Sequence, residues 1–119
     1  MARKAHKVYP SKRIKNPFAK KFRKYFGLKG RVTLKLADKI TLDGENCYGL
    51  YYADTVDKYV HIIVLSVKMC KKDTDFIASL MHEYVHAWQE ENEYSTGHNE
   101  KSMFKHWQRV IYEEFGIWI

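Results

Sequence analysis

Cysteine is nearly absent: Cys47 and Cys70 are the only two in 119 residues, and they do not form a CxxC pair. That excludes a disulfide framework and a cysteine-built zinc ribbon. Long hydrophobic runs are missing too. The greasiest stretch, Val60 to Val67, is interrupted by His61 and Ser66 and falls far short of the roughly 20 apolar residues of a membrane-spanning helix. The Met1 end has no apolar segment of the secretory kind, so the expected setting is reducing, cytoplasmic or nucleic-acid-associated rather than secreted. What remains, 45% hydrophobic and 29% charged residues, is the composition of one globular domain.

Acid is missing from the first third of the chain. Between Met1 and Lys29 lie eleven Lys and Arg residues, and no Asp or Glu occurs before Asp38. The remainder holds ten basic and fourteen acidic residues. This divides the chain into a basic N-terminal arm, residues 1–29, and a mildly acidic body, residues 30–119. Such asymmetry favours an anionic partner, DNA or another nucleic acid, although charge runs often serve only solubility. Met1 to Pro17 carries both prolines and little periodicity and reads as extended or mobile. Phe18, Phe22, Tyr25 and Phe26 recur at helical spacing, with Lys20, Lys21, Arg23 and Lys24 on the other side as candidate nucleic-acid contacts. Gly27 follows as a C-cap.

The body opens on strand signals. Val32, Leu34 and Leu36 alternate with Thr33 and Lys35, Asp43-Gly44 is a turn, and Cys47 to Tyr52 and Tyr59 to Val67 are rich in β-branched and aromatic residues. A polar loop, Asp54 to Lys58, separates the last two. Short connections predict a three-stranded antiparallel meander, because parallel neighbours need long crossovers. From Asp73-Thr74-Asp75, an N-cap cluster, the period changes. Phe76, Ile77, Leu80, Met81, Tyr84, Val85 and Trp88 form a helical apolar stripe to about Asn92. After a loop at Tyr94 to Gly97, a second helix is expected from Glu100 to Phe115. Strands followed by helices make the fold class α+β. Trp88, Trp107 and Trp118 fall on apolar faces and are expected to pack.

Residues 82 to 86 read His82-Glu83-Tyr84-Val85-His86, an HExxH pattern inside the first long helix. Histidines four apart sit one turn apart, about 6 Å along the axis and on nearly one face, so both rings can reach a single Zn²⁺. Glu83 is rotated by about 100° from His82, where its carboxylate reaches a water on the metal rather than the metal itself. A catalytic zinc takes three protein ligands and keeps one open position. His98, beyond the Gly97 turn, is the first choice for the third ligand. His106 is its rival, and Glu93 and Glu100 are weaker options. His6, in the arm, and His61, in a strand, are expected to stay off the metal.

On these residues the body resembles the SprT-like metalloprotease domain, the family of Spartan-type DNA–protein crosslink proteases. The shared order is the aromatic, glycine-containing strand Cys47 to Tyr52, a strand ending in Leu65-Ser66, the HExxH-Ala run His82 to Ala87, the pair Gly97-His98 and an aromatic-rich last helix. It covers about Arg31 to Trp118. Asn99, not glycine, follows the third histidine, and Phe104 comes six residues after it. The resemblance implies a small zincin-like domain whose sheet packs against the HExxH helix and a C-terminal helix. His82, His86 and His98 would be zinc ligands, Glu83 the catalytic acid/base and a protein the substrate. A chain this minimal would be a stand-alone or virus-encoded member, with the basic arm taking the place of separate nucleic-acid-binding extensions.

Two functions from different classes follow. One is a zinc-dependent endopeptidase, with Tyr94, His106 and Tyr112 as unranked candidates for stabilising the oxyanion. Tyr51 and Tyr52, on opposite sides of a strand, leave one of the two to line the cleft. The other is a small nucleic-acid-binding or virion structural protein whose zinc site is structural or vestigial.

Overall fold

The computed structural model describes residues 3–10, 16–54 and 60–119, with side chains from Lys21 onward. Met1, Ala2, residues 11–15 of the arm and the polar loop beyond Asp54 lie outside the described residues. In chain order the elements are β1 (Arg3–Pro10), α1 (Asn16–Phe26), β2 (Arg31–Leu42), β3 (Glu45–Asn46), β4 (Gly49–Ala53), β5 (Val60–Ser66), α2 (Asp73–Glu91) and α3 (Phe104–Phe115). The α+β class stands. No described helix is long and apolar enough to cross a membrane.

The sheet departs from the expected three-stranded antiparallel meander. It is mixed, in the order β1-β2-β5-β4, with the two-residue β3 appended to β2. β5 lies parallel to β2, from Arg31 opposite Val60 to Ala37 opposite Ser66, and antiparallel to β4. The antiparallel expectation weighs the short links between successive strands. The link that matters runs from the end of β2 to the start of β5, and its seventeen residues satisfy a parallel crossover. β4 is built inside that crossover and hairpins onto the outer side of β5. β5 is therefore an interior strand, paired on both sides, which is why Ile63, Val64 and Leu65 in succession are buried.

The arm departs as well. Arg3–Pro10 is an edge strand, antiparallel to β2 with Ala5 opposite Ile40 and Val8 opposite Ala37, rather than a mobile leader. Lysine and a terminal proline are residue types common on edge strands.

All three helices share one hydrophobic cluster with the face of the sheet bearing Leu36, Ile63, Leu65 and Tyr51. A smaller cluster of Ala37, Ile40 and Val64, with Leu50 and Tyr52 against it, occupies the other face. Helix α1 stops where Gly27 takes φ +65°: the Gly27 N–H bonds Lys24 O and the Leu28 N–H bonds Arg23 O, a Schellman closure. It lays Phe22 and Phe26 against Tyr84 of α2, at ring separations of 5.6 and 5.7 Å. Helix α2 runs nearly as expected, with Asp73 and Asp75 in its first turn complementing the helix dipole. Helix α3 begins four residues later than expected. Asn99 Oδ1 accepts from Ser102 N and Ser102 Oγ accepts from Asn99 N, a local arrangement that competes with helical bonding. Gly116, at φ +68°, ends α3. The chain then turns back, so that Trp118 is 63% exposed rather than packed.

Candidate metal centre

The middle of α2 faces the edge strand β4 and the loop between α2 and α3. His82 and His86 come from consecutive turns of the helix, and His98 comes from the loop, just past Gly97. The three rings form a near-equilateral triangle with centroid separations of 5.0, 5.1 and 4.9 Å. One donor nitrogen from each lies within 4.8 Å of the other two, close enough for all three to hold one metal ion. The Nε2 atoms of His82 and His98 are 3.2 Å apart. Two nitrogens at zinc–nitrogen distances of 2.0–2.1 Å in a tetrahedral shell stand about 3.3 Å apart, so this donor set fits such an ion. Phe104, 1% exposed, lies against all three rings at 4.7, 5.3 and 4.6 Å.

Each helical histidine is held by its outer nitrogen. His82 Nδ1 lies 3.0 Å from the main-chain oxygen of Ile119, and His86 Nδ1 lies 2.7 Å from Gln89 Oε1. With Nδ1 occupied as donor, Nε2 of each ring is left for a ligand, the usual division of labour in a metal-binding histidine. Burial disfavours the charged form of both rings and lowers both pKa values. That of His86 falls to about 4, with the neighbouring His82 and His98 adding to the effect and Gln89 opposing it. Both are neutral donors at pH 7.

Glu83 projects beside the triangle into a cleft of about 440 Å³ between α2 and the start of β4, walled by Tyr48 and Trp118 and also lined by His82 and Ala78. It is 6% exposed, and burial alone raises its pKa to about 8. Gly49 makes room for it. A Cβ at that position would stand 2.8 Å from Leu65 Cδ2, 3.1 Å from the Val64 carbonyl and 3.2 Å from Glu83 Oε2, so a side chain there displaces the Leu65 methyl and crowds both the carboxylate and the neighbouring strand.

The sign of the Glu83 shift gives a pH prediction for the metal-free protein. Between about pH 4.5 and 8 folded Glu83 keeps a proton that the unfolded chain has released, so rising pH favours unfolding. His86 acts oppositely below its ordinary 6.5, where only the unfolded chain binds its proton. Glu83→Gln removes the first effect and keeps the second. The stability of that variant relative to the parent should therefore grow from pH 5 to pH 8 and then level off. Urea unfolding of both metal-free proteins across that range checks it, and a constant difference contradicts the shift.

The other candidates lie apart from this cluster. His106 is exposed and sits against Trp107. Glu100 meets Arg109 at 3.4 Å, and Glu93 is exposed at φ 61° after the end of α2. Among the oxyanion candidates, Tyr94 stacks on Trp88 and His106 stays at the surface, while Tyr112 touches Trp118 on the cleft wall. Of the two strand tyrosines, Tyr51 faces α2: its ring is 6.5 Å from His86 and its hydroxyl 2.7 Å from His61 Nδ1. His61, fully buried, meets Glu91 through Nε2 at 2.6 Å and belongs to no metal-holding group among the described residues. His6 lies on β1 opposite Lys39. On α1, Lys21, Arg23 and Lys24 are exposed, and Arg23 donates to Lys29 O at 2.9 Å. The side chain of Lys20 lies outside the described residues.

Three contributors escape a reading of the sequence: Gly49, Gln89 and Phe104. A glycine inside a strand signals a close approach, and Gln89 follows His86 by three residues on the same helical face. Nothing local marks Phe104 as more than core.

Fold and site together define an α+β domain with three convergent histidines, close enough to hold a cation, beside a buried carboxylate. Compared with protein-family models, curated proteins and solved structures, the chain matches none at a significant level.

Proposed function

We propose that this chain is a zinc-dependent endopeptidase of the SprT-like kind. The observation that carries the reading is the convergence of His82, His86 and His98 on one point, with Glu83 buried beside them and open to a cleft. The three imidazoles would hold the ion. Bound there, zinc supplies Lewis acidity toward a carbonyl and brings the pKa of water down to about 7. Glu83 takes the proton of the attacking water and returns it to the departing amine, the cycle of a general base turned general acid. Burial alone holds the Glu83 proton to about pH 8 in the metal-free protein; the positive charge of a bound ion would favour the carboxylate and bring its pKa down toward the operating pH. β4 is the outer strand of the sheet on this side, and Tyr48 and Gly49 lie on the cleft. An extended segment of a substrate protein would add along that edge by main-chain hydrogen bonds. The test is stoichiometric zinc binding together with metal-dependent cleavage of an unfolded protein. A chain that takes up no zinc, or cleaves nothing when loaded, would refute the proposal.

The second reading, a nucleic-acid-binding protein whose metal site is structural, is favoured by the exposed Lys21, Arg23 and Lys24 of α1, a helix that itself contains no acidic residue. It is compatible with the first, since an arm holding DNA would present bound proteins to the cleft. Because β1 is part of the sheet, substitution rather than truncation is the sound probe. Changing Lys21 and Lys24 to Gln should weaken binding to DNA or RNA regardless of sequence and reduce the log–log salt slope by about one per lost phosphate contact. An unchanged slope takes α1 out of the interface.

A further inference from the structure

We propose that Gln89 is the positioning residue of the metal centre, one side chain that both orients His86 and anchors the loop bearing His98. The proposal rests on the metal-site reading above. Gln89 is fully buried, and every polar atom of its amide is used. Nε2 donates to the carbonyl oxygens of Gly97, at 2.9 Å, and Ser102, at 3.0 Å. Carbonyl oxygens only accept, so the NH₂ end must face them and Oε1 must face His86. An amide oxygen also only accepts, so His86 Nδ1, 2.7 Å away, must carry the hydrogen. One amide thereby fixes the His86 tautomer and leaves Nε2 as the free donor.

The same amide joins α2 to the far side of the site. Gly97 O and Ser102 O flank His98, and this loop is closed on itself by the Asn99–Ser102 pair and by Ser102 Oγ donating to Gly97 O at 3.0 Å. Besides this amide, the loop meets α2 at its start, where the Tyr94 N–H donates to the Gln89 carbonyl at 2.9 Å, and at the site itself, where His98 approaches His82; across Gly97 to Ser102 the side chain of Gln89 is the helix's hold on it. Gln89 therefore sets both the orientation of one ring and the distance at which another ring stands. Outer partners of this kind typically contribute 10–100-fold to metal affinity.

The experiment compares the full chain with Gln89→Met and Gln89→Glu by zinc titration and by ¹⁵N spectra of the histidine rings of the metal-free proteins. Gln89→Met should keep the parent's circular dichroism, weaken zinc about 10–100-fold and release His86 from its single Nδ1–H tautomer. Gln89→Glu keeps an acceptor for His86 but sets a carboxylate against two carbonyl oxygens. It should retain the tautomer yet lose zinc affinity by a similar factor, and it serves as the test if the Met variant does not fold. Parent-like zinc affinity in a folded variant overturns the proposal, as does a His86 tautomer indifferent to Gln89→Met. Failure of the parent itself to bind zinc would refute the metal reading instead, while the tautomer measurement would still decide the role of Gln89 toward His86.

Discussion

Changing Glu83 to Gln is expected to cut peptide hydrolysis by about 10²–10⁴-fold, the usual contribution of a positioned acid–base group, while zinc content stays at that of the parent. The replacement is nearly isosteric, which matters where the carboxylate passes close to the backbone of Gly49. The amide cannot accept a proton from water or deliver one to a leaving amine. Nor does it touch the groups that hold His82 and His86, whose outer nitrogens face Ile119 and Gln89. Catalysis and metal binding should therefore separate cleanly in one variant. The measurement is the cleavage rate of an unfolded protein by zinc-loaded parent and variant at matched metal content, taken at pH 7. A variant that cleaves within a few-fold of the parent would show that the carboxylate is packing beside a metal site, and the structural-zinc reading would then stand alone. A variant that loses its zinc would assign Glu83 to the metal rather than to the water.

How much of this arrangement can be read directly from the residues depends on how local its causes are. Helix α2 and the HExxH phase are legible because a 3.6-residue period and a 100° rotation are properties of one segment. Gly27 and Gly116 mark helix ends for the same reason, and both adopt the positive φ that their position requires. Strand existence is legible in Val32 to Leu36 and in Val60 to Val67, but strand order is not, since it depends on which segments meet after the chain has crossed over. The unbroken apolar run Ile62 to Leu65 is the sign that β5 is interior, and it outweighs the argument from short connections. β1 is hidden for a further reason: the lysines and proline that suit an edge strand also resemble a solvated leader. At the site, His98 can be picked by its place beyond a glycine turn. The Gln89 bridge cannot, because it joins a helix to a loop through two hydrogen bonds that no spacing encodes. Phe104 also stays hidden, since α3 begins at that residue only once Asn99 and Ser102 have claimed the preceding turn.

His98→Ala is expected to remove zinc from the protein, whereas His106→Ala should leave affinity at the parent value. The loss from the first should exceed the 10–100-fold typical of an outer partner, since an inner donor goes and two imidazoles remain of three. The comparison is matched, because each ring makes its contact from the surface, His98 on Phe104 and His106 on Trp107. Both residues are exposed. The His98 loop is also closed by main-chain and Gln89, Asn99 and Ser102 contacts that do not involve the imidazole. Circular dichroism and urea unfolding of the metal-free variants should accordingly match the parent, so a lost zinc signal reports coordination and not unfolding. Competition with a chromophoric chelator at pH 7.5 reads the affinities, and addition of imidazole to His98→Ala should partly restore binding by filling the vacated position. Undiminished affinity in His98→Ala would dissolve the triangle as a metal site despite the 3.2 Å between its His82 and His98 nitrogens. A loss confined to His106→Ala would require α3 to turn in solution and bring its outer face to α2, leaving Phe104 no place beneath the three rings.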